Sequence, residues 1–329
     1  MPPLRRSGDK ERAMTSLITG AGLVGTSYAR EAIAQGDPVV FYDVRPDASY
    51  INVKLDGAPY ETAQGDLRDL PALVTAMQRH QPEIVVHTAG LIGNSVSSPV
   101  YTGMQINVQG TINVLEAARL TGVKRFIHVS TYGVYDRRSE AGGTIPENYP
   151  RAGEGNPYSA SKVANEHIAE AYATYYGFEL VFVRPSNVFG YNHFRGGSGG
   201  GMTVHSLVEA GLTGEPLVVP AIRGRAFEYV YGKDLGRLIR RAAGIPLSGV
   251  TAFNGGNGFI TTFEELADAV RTVLPDLKVT VTPSEGPVPS ATTPLDISNA
   301  KALLDWQPEY SVPEAFADYV AEMRRAEGR

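Results

Sequence analysis

The first half of the chain alternates short runs of β-branched and aromatic residues with longer segments of helical pattern. The apolar runs cover residues 16–19, 39–42, 84–87, 126–129 and 180–183. The helical segments between them include residues 28–35, 70–79, 108–120 and 158–176. Because the runs are apolar almost throughout, they are typical of strands that helices bury on both faces. The alternation therefore predicts an α/β fold with a doubly wound parallel sheet.

A glycine-rich turn follows the first predicted strand and opens a helix. Gly20 permits a tight turn, Gly22 lets the backbone approach a pyrophosphate, and Gly25 lets the helix pack closely against the strand. Leu23 and Val24 begin the helix, whose free N–H groups and positive dipole end favour an anion. The spacing predicts a Rossmann-type dinucleotide site at the carboxyl end of the first strand.

Two acidic positions extend this predicted site. Asp43 ends the second strand, where a carboxylate accepts hydrogen bonds from the ribose hydroxyls and repels a 2′-phosphate. NAD is therefore the predicted cofactor, while the nearby Arg45 leaves NADP as an alternative. Asp66 and Leu67 follow a predicted third strand, where the Asp66 carboxylate either receives the adenine amino group or serves only as a turn residue.

A tyrosine and a lysine lie on the helix that the sequence defines best. Asn156 suits its N-cap, Pro157 its first position and Gly177 its end. Tyr158 and Lys162 share one face, where an ammonium would stabilise a phenolate and lower a phenol pKa that is normally ~10. Such a phenol can take the proton of an alcohol while hydride leaves for a nicotinamide.

Ser130 and Thr131 close the strand at residues 126–129, whose carboxyl end faces the same crevice. A hydroxyl at this position can hold the substrate oxygen beside Tyr158. The three elements together predict a proton-transfer site next to a bound dinucleotide.

These motifs resemble the extended short-chain dehydrogenase/reductase superfamily, specifically its NAD-dependent epimerase/dehydratase family. The matching stretches are residues 85–90, 107–111, 113–118, 126–135, 157–162 with Glu166, and 184–190. Weaker matches are residues 233–235, 254–256 and 304–308. The resemblance covers nearly all of the chain after Met14.

The resemblance implies a role for each matching position. Tyr158 and Lys162 correspond to the catalytic pair, with Lys162 also bonding the nicotinamide ribose, and Thr131 corresponds to the catalytic hydroxyl. Further positions implied to line the cofactor are Thr88, Ala89, Gly90, Asn107 and Pro185. Asn187 is implied to face the substrate, while His87 either takes part in the chemistry or is a satisfied strand-end histidine.

The chain departs from the family pattern at the glycine loop and beside the catalytic threonine. The loop is one residue shorter than the family's usual form, which affects its turn geometry more than the cofactor itself. Members that dehydrate sugars carry Asp-Glu directly after the threonine, to protonate and expel a hydroxyl. Here Tyr132 and Gly133 occupy those places, so the dehydratase interpretation loses its acid.

Two further departures affect the arginine pair that binds a diphosphate in nucleotide-sugar members. Phe227-Glu228 stands where an Arg-Asp pair is usual, and residues 293–295 supply no arginine before Asp296. The smaller number of arginines favours a smaller substrate without a diphosphate. Arg195 and Arg225 are candidate substrate contacts that, together with Arg223, could compensate, or could bind the carboxylate of a sugar acid instead.

After the fifth apolar run the regular alternation loosens. Residues 191–203 hold five glycines, too many for a regular element. Residues 233–243 predict a helix and residues 251–254 a short strand. Thr262 with Glu265 forms a capping-box signal for a helix through residue 273. The pattern predicts a smaller, loop-rich C-terminal lobe that selects the substrate.

The predicted domain organisation follows from these patterns. We expect a disordered tail over residues 1–13 and a dinucleotide-binding domain over residues 14–183, to which residues 229–257 return. Residues 184–228 and 258–329 form the predicted substrate-binding lobe.

Composition excludes several other classes of protein. A net charge of −5, from 30 Lys and Arg against 35 Asp and Glu, gives no electrostatic case for a nucleic-acid partner. The absence of cysteine removes disulfides, thiolate metal sites and thiol nucleophiles. No apolar run reaches the ~20 residues that span a bilayer. We expect a cytoplasmic protein with no metal, and by family analogy a homodimer formed through residues 101–121 and 157–176.

Three functions compete at this point. The first is an NAD-dependent oxidoreductase that oxidises a secondary hydroxyl of a sugar, sugar acid or related polyol. The alternative is an NAD-dependent nucleotide-sugar epimerase of the UDP-hexose type. A non-catalytic dinucleotide sensor is the third, although such a protein would be free to lose the Tyr158–Lys162 pair.

Overall fold

The computed structural model describes residues 13–136, 138, 142–153, 155–192, 199–221, 225–283, 286 and 293–328. Its strands are β1 (Ser16–Thr19), β2 (Val39–Asp43), β3 (Glu61–Gln64), β4 (Ile84–His87), β5 (Arg125–Val129), β6 (Glu179–Pro185), β7 (Asn187–Phe189), β8 (Leu217–Pro220), β9 (Tyr229–Tyr231), β10 (Val250–Gly255) and β11 (Val279–Thr282). Seven strands form one parallel sheet in the order β10-β6-β5-β4-β1-β2-β3. The predicted doubly wound parallel sheet is confirmed.

The helices lie between and beyond these strands. They are α1 (Leu23–Ala34), α2 (Ala48–Lys54), α3 (Leu70–His80), α4 (Asn94–Ser97), α5 (Val100–Met104), α6 (Gly110–Thr121), α7 (Pro157–Tyr176), α8 (Gly199–Thr213), α9 (Gly232–Gly244), α10 (Phe263–Arg271), α11 (Ser298–Leu304) and α12 (Val312–Ala326). A π-helical turn, Gln105–Gln109, joins α5 to α6, and a 3-10 turn covers Tyr132–Val134. The predicted capping of α7 is confirmed, since the Asn156 side chain accepts from the Tyr158 N–H at 2.9 Å and Gly177 is left-handed.

Both faces of the main sheet are buried, as its apolar strands require. On one face Ile18 and Phe41 pack with α1 and α9, and on the other Leu17 and Phe126 pack with α3, α6 and α7. A Cβ on Gly236 of α9 would lie 2.3 Å from a carbonyl oxygen of α1, so these two helices touch backbone to backbone. The sheet is thereby a rigid platform whose strand ends position the site.

A second apolar core joins segments from the C-terminal half. It contains residues of α8, α10 and α12 together with Phe189, Tyr229 and Tyr231. β7 pairs with β9, and β8 with β11, in two small parallel sheets. β10 instead joins the main sheet beside β6. The Thr262–Glu265 capping box is confirmed at the start of α10, which ends at Arg271 rather than at residue 273.

The expectation of irregular structure across residues 191–203 is wrong for its last part. Residues 199–203 form the first turn of α8. The apolar residues that follow, including Val204 and Leu207, are fully buried, and this tertiary burial outweighs the low helix propensity of glycine. A Cβ on Gly200 would lie 2.8 Å from Asn187 Oδ1, so glycine here permits close packing. Arg195, Arg223 and the predicted tail up to residue 12 lie outside the described residues.

Two features are absent from the described part of the chain. No helix in it has the length and apolarity needed to cross a bilayer. No group of three or more His, Asp or Glu side chains in it is arranged to hold a metal ion.

Candidate active site

The chain reverses its direction of winding between β1 and β4, which are neighbours in the sheet although β2 and β3 separate them in sequence. Ligands of doubly wound proteins bind at such a switch point, outside the carboxyl ends of the strands. The predicted site residues follow these ends. The sheet therefore places the glycine loop, the loop after β4 and the loop after β5 around one crevice.

The glycine loop has the geometry that a dinucleotide requires. Gly20 adopts φ +88°, and a Cβ on Gly25 would lie 2.1 Å from the Gly20 carbonyl oxygen. Gly22 faces open space, since a Cβ added there would meet no atom within 4 Å. α1 begins at Leu23 with no side-chain cap and no acidic residue in its first turn, so its N–H groups and dipole suit a diphosphate. The glycine loop, although one residue shorter than the usual form, thus still fits the diphosphate of a dinucleotide.

Asp43 lies beside this loop, where the ribose acceptor was predicted. Its two carboxylate oxygens accept hydrogen bonds from the N–H groups of Ala21 and Arg45, both at 2.8 Å. The carboxylate is half-buried and fixed at the end of β2. Each oxygen retains acceptor capacity for a ribose hydroxyl.

We expect Asp43→Asn to weaken NAD binding by about tenfold or more, because a hydrogen bond to a charged acceptor contributes ~1.5–3 kcal/mol. NADP binding should change less, since the amide no longer repels a 2′-phosphate. Calorimetric titration with both cofactors measures the preference, with Asp56→Asn on an exposed turn as the control. An unchanged ratio of the two affinities would remove the role assigned to Asp43.

Asp66 and Leu67 lie beyond β3, close to the end of β2. Arg68 donates to both carboxylate oxygens of Asp66 and lowers the pKa of this group. Leu67 is buried against Gly110, and its carbonyl accepts from Asn113 at 2.9 Å. Asp66 is therefore an ion-paired turn residue in this structure, and a role toward adenine stays a prediction.

The histidine that ends β4 is held on both sides. The Thr111 hydroxyl donates to the Asn107 carbonyl at 2.6 Å, so it accepts from His87 Nε2 at 2.9 Å. The Thr19 hydroxyl then donates to Nδ1 at 2.6 Å. Burial, followed by the charge of Lys162, lowers the pKa of His87 to about 3. A neutral ring with both nitrogens engaged favours the structural role for His87.

Asn107, in the π-helical turn, fixes the loop that follows β4. Its side chain accepts from the Leu91 N–H at 2.7 Å and donates to the Leu91 carbonyl at 3.0 Å. Thr88 donates to the carbonyl of Thr19 at 2.8 Å, so the same loop is tied to β1. The structure thus brings Thr88, Ala89, Gly90 and Asn107 together next to the glycine loop.

Tyr158, Lys162 and Thr131 meet at the end of β5. Thr131 opposes the effect of burial on the pKa of Tyr158, so the two hydroxyls are neighbours, and Lys162 Nζ lies 5.9 Å from the centre of the Tyr158 ring. Lys162 is buried and donates to the Val129 carbonyl at 2.8 Å. The predicted proton-transfer set is therefore assembled in one place.

The expected lowering of the phenol pKa is wrong for this structure. Burial raises the pKa of Tyr158 to about 12 and lowers the pKa of Lys162 to about 8. Desolvation disfavours the charged form of each group. Lys162 directs its ammonium at the Val129 carbonyl, and sequence spacing alone did not show this contact.

A buried ion network supports α7 one turn beyond Lys162. Arg184 donates to both carboxylate oxygens of Glu166, at 2.9 and 2.8 Å, and Arg151 adds a bond at 2.8 Å. Burial opposes ionisation of Glu166, but the hydrogen bonds and charge of Arg184 outweigh it and hold the pKa of this carboxyl low. Arg184 directly precedes Pro185, which pairs with Gly255 at the end of the sheet.

Asn187 is hydrogen-bonded to two residues that sequence analysis does not predict as substrate contacts. Asn187 donates to the Glu228 carbonyl at 3.1 Å and to the Tyr132 hydroxyl at 3.4 Å. The buried Glu228 carboxylate accepts from the N–H groups of Gly258 and Leu295, at 2.7 and 2.8 Å. Glu228 therefore binds backbone in the position where nucleotide-sugar members carry an Arg-Asp pair.

Arg225, the second predicted substrate contact, stacks over the Phe227 ring at 5.0 Å. Its Nε is buried and meets no hydrogen-bond partner among the described residues. The guanidinium is thus placed against Phe227, and a contact with substrate stays a prediction.

The fold and the site define a dinucleotide-binding protein of the extended short-chain dehydrogenase/reductase type. The chain belongs to the NAD dependent epimerase/dehydratase family, whose sequence model matches residues 16–254.

Individual relatives cover nearly the whole chain. A UDP-glucose 4-epimerase of Mycolicibacterium smegmatis is 30% identical over 94% of this chain and 99% of its own. A dTDP-glucose 4,6-dehydratase of Xanthomonas campestris is 29% identical, over 93% of this chain and 92% of its own. The structure of a UDP-glucose 4-epimerase of Thermotoga maritima with UDP-glucose has a TM-score of 0.82 at 25% identity, and covers 95% of this chain and 100% of that one.

Proposed function

We propose that this chain is an NAD-dependent nucleotide-sugar epimerase, which oxidises and then re-reduces one carbinol carbon of a sugar. The observation that carries the proposal is the convergence of Thr131, Tyr158 and Lys162 beside a glycine loop that fits a dinucleotide. Relatives that match over their full length and are described as UDP-glucose 4-epimerases support this class of substrate. Epimerisation thus takes precedence over the net oxidation favoured by the sequence.

NAD, when bound, supplies a hydride acceptor that can return the hydride to the same carbon. Gly20, Gly22 and the N-terminus of α1 would hold its diphosphate, and Asp43 its ribose. Tyr158 moves the proton of the substrate hydroxyl, and Thr131 holds the oxygen that gains and loses it. Lys162, whose ammonium lies 5.9 Å from the centre of the Tyr158 ring, would hold the nicotinamide ribose.

Dehydration is disfavoured by the residues that follow Thr131. Tyr132 and Gly133 stand where dehydratases place Asp and Glu, so no carboxylate is available there to protonate a departing hydroxyl. The sugar should consequently leave the site with all of its hydroxyl groups.

A second candidate, net oxidation of a smaller sugar or sugar acid, is favoured by Glu228. Its carboxylate binds the backbone N–H groups of Gly258 and Leu295, and Arg225 is the predicted arginine contact that the structure describes. A guanidinium suits a carboxylate as well as a phosphate.

Incubation with UDP-glucose, UDP-galactose and dTDP-glucose tests the proposal directly. We expect interconversion of UDP-hexoses, seen by chromatography, without accumulation of NADH. Accumulation of NADH with free sugars or sugar acids, and no reaction of the nucleotide sugars, would favour the second candidate instead.

The protein is also proposed to form a homodimer through the helices at residues 100–121 and 157–176. Tyr101 and Tyr175 are 75% and 83% exposed on these helices, and Leu120 and Tyr176 add to the apolar surface. Burying apolar surface favours an interface by about 25 cal/mol per Å², before the cost of association is subtracted. Light scattering should give twice the chain mass, and Tyr175→Glu should shift the population toward monomer. A monomeric wild-type protein would refute this assembly.

A further inference from the structure

We propose that Tyr132 is a specificity-determining residue, which donates a hydrogen bond to a second hydroxyl of the substrate sugar. The inference rests on the proposed function and adds a substrate contact to it. Tyr132 directly follows Thr131, so the chain that positions one hydroxyl at the reacting oxygen also positions the other.

The Tyr132 ring is held by packing. It lies half-buried against a cluster formed by Val134, Tyr135, Ile145 and Leu295. The 3-10 turn that carries it is closed by the Thr131 side chain, which accepts from the Gly133 N–H at 3.2 Å. The cluster contact and the closed turn together restrict the position of the ring.

The Tyr132 hydroxyl lies next to Asn187. Asn187, the residue implied to face the substrate, donates to the Tyr132 oxygen at 3.4 Å. Asn187 is itself anchored by the Glu228 carbonyl and by the close approach of Gly200. The charge of an ionised Tyr132 would raise the pKa of both Tyr158 and Tyr229, as expected for phenols that share one crevice.

The role of Tyr132 follows from the hydrogen-bonding and acid–base properties of a phenol. A phenol that accepts a hydrogen bond becomes a better donor, so the Asn187 contact prepares the Tyr132 O–H for a sugar oxygen. A phenol is a much weaker acid than a carboxylic acid, so it is poorly suited to expelling a hydroxyl at neutral pH. Tyr132 would therefore hold a hydroxyl at the place where a dehydratase eliminates one.

Calorimetric binding of UDP-glucose and of its 2-, 3- and 6-deoxy analogues, with NAD saturating, tests this contact. We expect the wild-type protein to bind one analogue about tenfold more weakly than UDP-glucose, the effect of one hydrogen bond. Tyr132→Phe should bind UDP-glucose about tenfold more weakly and should no longer distinguish that analogue. Tyr149→Phe, which removes a hydroxyl from a ring packed on the same cluster, should discriminate as the wild type does.

Two results would overturn the inference. One is a Tyr132→Phe variant with wild-type melting temperature that still disfavours the same deoxy analogue. The other is a wild-type protein that binds all the analogues equally. If the wild-type protein binds no nucleotide sugar, the proposed function fails separately. The same comparison is then made with the free sugar that reduces NAD and with its deoxy forms.

Discussion

Tyr158→Phe is expected to lower turnover by about 10²–10⁴-fold, the contribution of a positioned acid–base group. The ring remains, so its packing on α7 is kept, and only the hydroxyl beside Thr131 is lost. The affinity for NAD should stay within about twofold, because the glycine loop and Asp43 carry most of that binding. Steady-state rates and NAD titration of the same preparation measure both quantities.

Tyr60→Phe is the matched control for this variant. Tyr60 is half-buried against Phe41, far along the sheet from β5, and its loss of a hydroxyl should leave the rate unchanged. A Tyr158→Phe variant with wild-type turnover would contradict the acid–base role. A variant that fails to bind NAD would point to a cofactor-binding role instead.

Glu166→Gln is expected to lower the free energy of unfolding by about 3–5 kcal/mol, since it leaves the buried Arg184 guanidinium without its counter-charge. Glu170→Gln is the control on the same helix. Glu170 pairs with the same Arg151, but it is partly exposed, so its loss should cost about 1 kcal/mol or less. Urea denaturation of the three proteins measures the difference, and equal costs would contradict the network.

The pH dependence of this difference follows from the sign of the pKa shift. The pKa of Glu166 is lowered on folding, so its contribution is present above the carboxyl pKa of the unfolded chain, about 4.3. The contribution is lost as the pH falls through the folded pKa, and the wild type and Glu166→Gln should converge there. A difference that is constant into acid would exclude the ionised carboxylate as its cause.

Glu166 also affects the charge of Lys162. Burial lowers the pKa of Lys162 to about 8, and the Glu166 carboxylate opposes that change. Removing the carboxylate lowers the pKa of Lys162 further, so the ammonium is lost at a lower pH. The alkaline limb of the activity profile of Glu166→Gln should therefore move to lower pH. An alkaline limb that does not move would show that Glu166 does not affect the pKa of Lys162.

The parts of the fold that the sequence predicted are those with local or strongly apolar causes. Runs such as residues 84–87 are buried on both faces, and this leaves a continuous apolar signal. The helix α7 carries its own cap and end signals at Asn156 and Gly177. The glycine loop is set by the φ angle of Gly20 and the contact at Gly25, which only glycine permits.

Features that depend on contacts between residues far apart in sequence could not be predicted from local sequence patterns. The first turn of α8 is rich in glycine, and its helical form depends on burial against the second core. Glu228 binds Gly258 and Leu295, which are far away in sequence, so its structural role could not be deduced from its neighbours. The direction of the pKa shift of Tyr158 depends on how deeply the site is buried.

The sequence position of Tyr132 already indicates a contact with the substrate. Its position directly after Thr131 is fixed by the same motif, and a phenol in place of an acid changes what that position can do. The contact with Asn187, which supplies its orientation, appears only when β7 is placed beside the 3-10 turn.

The central claim is that a hydride leaves one sugar carbon and returns to it while Tyr158 relays the proton. UDP-glucose deuterated at C4 tests this claim most directly, with mass spectrometry of the sugar, the cofactor and the solvent. The account predicts an inverted sugar that keeps its deuterium at C4, with none in water. Deuterium that is washed out to solvent, or a labelled sugar recovered without inversion, would contradict it.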